Sequence, residues 1–156
     1  MIRPFSLADL EFILQIENHS FPKSPYDWAT FLNLHTLYPE TFLVYVDASH
    51  GQKGEKILGY IVFSPDGHII SIAVQPQHRR KGIGKQLLQR AMATSALKKI
   101  WAEVRRSNPG AQAFYSKLGF QMIGVVPNYY GNEDALIVQW TPGKSPPTPF
   151  GKGERE

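Results

Sequence analysis

The sequence predicts a mixed α/β fold in which one central, mostly antiparallel sheet is flanked by about four helices. Three observations lead there. Segments with apolar residues at helical spacing alternate with short strand-like runs bounded by glycine-bearing turns. The run Ile69-Ile70-Ser71-Ile72-Ala73-Val74 is nearly apolar throughout, as a central strand covered on both faces must be, and a basic turn and a further helical pattern follow it. The length, 156 residues, gives one core that buries about two-thirds of the unfolded chain's surface and leaves no room for a second catalytic domain.

Ile2-Arg3-Pro4 reads as a short edge strand. Ser6 and Asp9 have the spacing of a capping box with Asp in place of Glu, and Leu7, Leu10, Ile13, Leu14 and Glu17 predict a helix to about His19. Phe21-Pro22-Lys23-Ser24-Pro25 breaks it. A second helix spans Asp27 to about Leu37, with Trp28, Phe31, Leu32 and His35 on one face. Strand-like runs follow at Thr41 to Val46, Ile57 to Phe63 and His68 to Val74; the turns between them carry Gly51, Gly54 and Gly67, which predicts hairpins. Helical spacing returns at Ile83, Leu87, Leu88, Ala91 and Met92. A strand over Ile100 to Val104, a short helix from Pro109 to Leu118, and strands near Met122 to Val126 and Ala135 to Trp140 complete a domain over residues 1–140. Thr141 to Glu156 hold four prolines, three glycines, five charges and one large apolar residue, Phe150, and read as a flexible tail.

No apolar run approaches the ~18 residues needed to cross a bilayer, so no membrane partner is expected. Arg3, Asp9, Glu11 and Glu17 punctuate the first twenty residues, where a signal peptide needs an apolar stretch, and a cytoplasmic location is expected. The absence of cysteine excludes a thiol nucleophile, a thiolate zinc site and disulfides, and with them any covalent thioester on the protein. His19, His35, His50, His68 and His78 show no metal-ligand spacing, and no metal site is assigned. The net charge of +4 is unevenly spread: residues 78–106 hold nine basic side chains against Glu103 alone, a local +8, and the remainder carries −4. The basic segment calls for an anion.

Arg79-Arg80-Lys81-Gly82-Ile83-Gly84 joins the apolar strand to a strong helix, where outward-pointing N–H groups and glycines let a phosphate approach the backbone. Neither familiar nucleotide loop fits. A dinucleotide fingerprint needs Gly where Leu87 stands, and a P-loop needs Gly at Arg79 and Ser or Thr at Gln86. The pattern Arg79-x-x-Gly82-x-Gly84 does resemble the pyrophosphate signature of the GCN5-related N-acetyltransferase (GNAT) superfamily. The likeness extends from Ile72 through Gly84, and over about residues 1–140 as a whole. Ala102-Glu103-Val104-Arg105-x-Ser107-Asn108, then Ala111-x-x-Phe114-Tyr115-x-x-x-Gly119-Phe120, and Tyr129-Tyr130-Gly131-Asn132-Glu133-Asp134-Ala135 resemble its RimI branch, which acetylates protein N-termini.

The resemblance implies acetyl-CoA as cofactor, with coenzyme A as product. Main-chain N–H groups of residues 80–85 would hold its pyrophosphate, helped by the cations of Arg79, Arg80, Lys81 or Lys85. The edge of Ile72, Ala73 and Val74 would pair with the pantetheine amides and present an N–H to the thioester oxygen, an oxyanion contact worth ~3 kcal/mol. Ala111 and Phe114 are assigned to the cofactor as well, and Asn108 either to the pantetheine arm or to the cap of its helix.

Acetyl transfer to an amine needs a neutral nitrogen, a proton acceptor and a donor for the departing thiolate. Glu103, the one acid of the basic segment, matches the family's base, acting through a water; a salt-bridged strand carboxylate is the alternative. Tyr115 takes the acid role by resemblance, against the alternative of a packed core tyrosine. An α-amino group is ~3.4 kcal/mol easier to deprotonate than lysine, which favours an N-terminal acceptor, a ribosomal protein among the candidates. Phe21, Pro22, Tyr26, Tyr129 and Tyr130 are the candidates for a peptide groove, with packing into the core as the alternative for each. Glu17 either contacts the amine or is an exposed helix-surface acid. The loop Phe-Pro-Lys-Ser-Pro-Tyr-Asp-Trp departs from the shorter family form. A monomer or weak homodimer is expected, with no nucleic-acid partner. The rival readings are the same chemistry on a small-molecule amine and a basic nucleic-acid-binding module, though the latter would lack exposed stacking aromatics among its cations.

Overall fold

Residues 1–47, 55–94 and 99–142 are described by a computed structural model. Their order is β1 (Ile2–Pro4), α1 (Leu10–Ser20), α2 (Trp28–Leu37), β2 (Phe42–Asp47), β3 (Lys56–Phe63), β4 (Ile69–Val74), α3 (Ile83–Thr94), β5 (Ile100–Arg105), α4 (Pro109–Lys117), β6 (Gln121–Val126) and β7 (Ala135–Trp140). This is the mixed α/β order expected, with four helices among the described residues. His50, Gly51, Gly54, Lys98 and residues 143–156 of the tail lie outside the described residues.

The chain divides into two compact units. The first, Met1–Pro65 with Ile69–Ser95, carries the antiparallel sheet β1-β2-β3-β4. Its core gathers Phe5, Ile13, Ile16, Phe31, Phe42 and Tyr60, with Phe5 stacked on Phe42 at 4.2 Å and Phe31 edge-on to Tyr60 at 5.7 Å. At the chain's start Arg3 reaches both Asp9 oxygens at 2.9 Å, and Asp9 accepts the Ser6 N–H, so the predicted Ser6/Asp9 pairing forms over a 3-10 turn, Leu7–Asp9, ahead of α1. Asp27 caps α2 by accepting the Thr30 N–H at 2.9 Å. The buried residues of α2 are Phe31 and Leu34, while Trp28, expected on the inner face, is 58% exposed. Its place at the first turn sets it beyond the packed stripe.

The second unit joins Asp66–His68 to the chain from Ala96 onward and holds the sheet β5-β7-β6, all antiparallel. Ile100, Ala102 and Val104 are the buried alternate residues of β5, and Trp101, Glu103 and Arg105 take the half-buried face. The expected single sheet is thus two ladders among the described residues. β4, read as a central strand from its apolar sequence, ends the first unit's ladder among the described residues, paired there with β3, with Ile70 and Ile72 partly exposed. A terminal strand keeps main-chain donors and acceptors on its open edge.

Candidate active site

In the second unit, the segment before β4 is pressed onto β5. The Trp101 N–H donates to the Gly67 carbonyl at 3.0 Å, and Gly67 has φ +102°, where a Cβ would stand 2.2 Å from the Lys99 carbonyl oxygen. Only glycine satisfies both conditions. This turn delivers His68, whose ring stacks on Trp101 at 5.3 Å and whose Nε2 lies 2.8 Å from Glu103 Oε1. Hydrogen bonding to Glu103 raises the His68 pKa against the opposing effect of burial.

Tyr115 sits on α4, its ring buried between Phe114 at 5.3 Å and Phe120 at 5.0 Å. Burial and then the charge of Glu103 hold its phenol far above the ordinary tyrosine value, so it stays protonated at any working pH. A protonated phenol can donate its hydroxyl hydrogen. Tyr129, half-exposed, is likewise raised by burial and by Glu103. Tyr130 packs edge-on to Tyr129 at 4.9 Å and lies under the Arg105 guanidinium at 4.0 Å. Glu133 fastens this hairpin by accepting from Arg105 Nη1 at 2.9 Å and from Ser107 N and Oγ at 3.0 Å. Glu103, Tyr115, Tyr129 and Tyr130 are therefore brought into one electrostatic neighbourhood, with His68 added. Glu103 is both the ion-paired strand carboxylate of the alternative reading and a carboxylate with 19% of its side chain exposed.

In the first unit, the residues between β4 and α3 form the expected anion turn. The first hydrogen bond of α3 runs from Gln86 N to Gly82 O, so the N–H groups of residues 82–85 remain outside the helical ladder. Arg80 at φ +65° and Gly82 at φ +84° curl the turn, and a Cβ on Gly82 would project into open space. Arg80, Lys81 and Lys85 are exposed. This donor set fits a phosphate-sized anion. Arg79, grouped with these cations, instead folds back: its Nε donates to Val74 O at 3.0 Å and its Nη2 to Ser20 Oγ at 3.0 Å. Asn108 Oδ1 accepts the Ala111 N–H at 3.0 Å, so its oxygen is taken by the cap of α4.

Glu17 corrects one alternative outright. It is 2% exposed, not a surface acid; the Tyr26 N–H donates to it at 2.9 Å, as do the hydroxyls of Tyr60 and, at 3.5 Å, Ser71. Burial raises its carboxyl pKa against these hydrogen bonds. Phe21 and Tyr26 pack partly buried against the core, and Pro22 is exposed. His68, given no role from the sequence, is the functional neighbour that was missed. Within the second unit the isolated parallel bridge His68–Trp101 brings it there, a long-range pairing that no local sequence pattern marks. No group of residues able to hold a metal occurs among the described residues.

Residues 10–120 match the model of the acetyltransferase (GNAT) family. The chain is 32% identical over 157 residues to an N-alpha-acetyltransferase of Sulfurisphaera tokodaii, covering 88% of this chain and 90% of that one. It is 30% identical over 146 residues to the [ribosomal protein bS18]-alanine N-acetyltransferase of Escherichia coli K12, covering 88% and 94%. Its fold is similar to the crystal structure of Ard1 from Thermoplasma volcanium, with a TM-score of 0.80, 31% identity, and coverage of 90% of this chain and 96% of that one. The chain is a mixed α/β acetyltransferase. It belongs to the GNAT family.

Proposed function

We propose that this protein transfers an acetyl group from acetyl-CoA to the α-amino group of a protein or peptide N-terminus, by direct attack of the amine. The observation that carries the reading is the cluster in the second unit, where Glu103, hydrogen-bonded to His68, acts electrostatically on the protonated Tyr115 phenol. Acetyl-CoA supplies the activated carbonyl and a thiolate leaving group. Glu103 accepts the proton of the amine through a water, and Tyr115 donates to the sulfur. The N–H groups of residues 82–85 with Arg80, Lys81 and Lys85 bind the pyrophosphate, and the open edge of Ile72, Ala73 and Val74 pairs with the pantetheine amides. Ala111 and Phe114 line the cofactor side, with the Asn108 amide nitrogen as an additional donor. Phe21, Pro22, Tyr26, Tyr129 and Tyr130 hold the peptide.

The relatives' names support an α-amine, and the ribosomal protein of one of them makes a ribosomal N-terminus the first acceptor to try. The cofactor-binding turn draws on Arg80, Lys81 and Lys85 of the basic segment, and no helix among the described residues is long and apolar enough to cross a membrane. Residues 1–140 act as the catalytic domain, with 141–156 as its tail, in the cytoplasm. The test is mass spectrometry of acetyl-CoA reactions with peptides of increasing length, polyamines and free amino acids. Activity is expected to rise with peptide length; acetylation of polyamines alone would move the reading to small amines.

A further inference from the structure

Glu17 poses a physical question that acetyl transfer leaves open. Removing a carboxylate from water costs several kcal/mol, and an apolar residue of similar volume often gives equal or greater stability. Yet Glu17 is buried with no cation bonded to it among the described residues, held by the Tyr26 N–H at 2.9 Å and the hydroxyls of Tyr60 on β3 and Ser71 on β4. Tyr60 and Ser71 are themselves joined at 3.0 Å. The bonds have a common geometric result. The Glu17 carbonyl accepts the Phe21 N–H at 2.8 Å and its carboxylate accepts the Tyr26 N–H, so one residue holds both ends of the non-helical segment 21–26 between α1 and α2. Ser71, the carboxylate's anchor on the sheet, immediately precedes Ile72-Ala73-Val74.

We infer that Glu17 is a positioning residue for the acceptor: its buried carboxylate clamps segment 21–26 into the shape that receives the peptide N-terminus, without touching the amine. This rests on the proposed peptide acceptor. An ionised carboxylate is an acceptor only, which suits three converging donors; glutamine can keep the Tyr26 bond and turn its NH₂ toward Tyr60, whose hydroxyl can reverse toward Ser71. The inference therefore ranks the variants. Glu17→Ala raises the peptide KM about tenfold, the loss of roughly one charge-assisted hydrogen bond, with acetyl-CoA Kd changed less than about twofold. Glu17→Gln recovers most of that loss. Tyr60→Phe, which keeps the ring, falls between them.

Two further measurements separate clamp from contact and from fold. Amide exchange at Tyr26 is expected to be slow in the wild type and fast in Glu17→Ala, whatever the acceptor is. Binding of an N-acetylated product peptide, which has no charged amine, should weaken in Glu17→Ala as much as binding of the free peptide. Weakening confined to free amines, an unchanged peptide KM in a folded Glu17→Ala, or equal losses for peptide and acetyl-CoA would each overturn the clamp. If Glu17→Ala does not fold, a peptide KM in Tyr60→Phe equal to wild type overturns it. A wild-type enzyme that acetylates only polyamines would instead remove the peptide reading, and the Tyr26 exchange would still report on the clamp itself.

Discussion

His68 and Glu103 lie 2.8 Å apart across 35 residues of sequence, and the pairing bears on both pH and turnover. The His68 pKa is raised in the folded state, so the pair's contribution to stability is complete below the unfolded histidine value of about 6.5 and is lost as pH rises through the higher folded value. His68→Gln should therefore lower Tm more at pH ~6 than at pH ~9. Thermal melts across that range test it, and a difference that grew with pH would contradict the pairing. For turnover, Glu103→Gln should reduce kcat by about 10²-fold or more while acetyl-CoA affinity holds, the usual size of a general-base contribution. The deficit should narrow above pH ~8, where an α-amine is already largely neutral. Equal wild-type and variant kcat across that profile would take Glu103 out of the base role.

At the scale of elements, the sequence pattern located every described α-helix and strand to within a few residues, because each amphipathic or apolar pattern is decided by neighbours close in sequence. What escaped it depends on partners far away. The spacing puts Glu17 on the stripe of Leu10, Ile13 and Leu14, but the hydroxyls that receive its carboxylate, Tyr60 and Ser71, stand 43 and 54 residues on. The same holds for β4: an apolar strand reads as central, and among the described residues the first unit's ladder pairs it with β3. Within the site, Glu103, Tyr115 and the Tyr129-Tyr130 hairpin were legible through motif resemblance, whereas His68 required knowing how the Asp66–His68 turn meets β5. That turn is sensitive to a single methyl group. Gly67→Ala places a Cβ 2.2 Å from a backbone oxygen at φ +102°, and should destabilise the protein by about 2 kcal/mol or more. Urea unfolding measures the loss, and a shift below ~0.5 kcal/mol would mean the turn relaxes.

Across the whole molecule, the charge distribution separates a cofactor-binding enzyme from a nucleic-acid-binding module. The net +4 is a local +8 over residues 78–106 on a chain that is otherwise −4, and its charges do not act alike. Arg79 is bonded to Val74 and Ser20, Arg105 to Glu133, and Arg106 lies 3.4 Å from Asp134, whereas Arg80, Lys81 and Lys85 are exposed beside the N–H groups that open α3. Three cations at one helix start match a compact polyphosphate, while a nucleic-acid backbone needs a row of phosphate contacts. Replacing Arg80, Lys81 and Lys85 together by alanine should weaken acetyl-CoA binding by about tenfold to a hundredfold, and the wild-type affinity should fall as salt rises. Peptide KM at saturating acetyl-CoA should change little, since the aromatic residues assigned to the peptide lie on other segments. Calorimetry at two ionic strengths provides the measurement. Salt-sensitive RNA or DNA binding that the triple variant abolishes, with acetyl-CoA binding intact, would assign the basic segment to a nucleic acid.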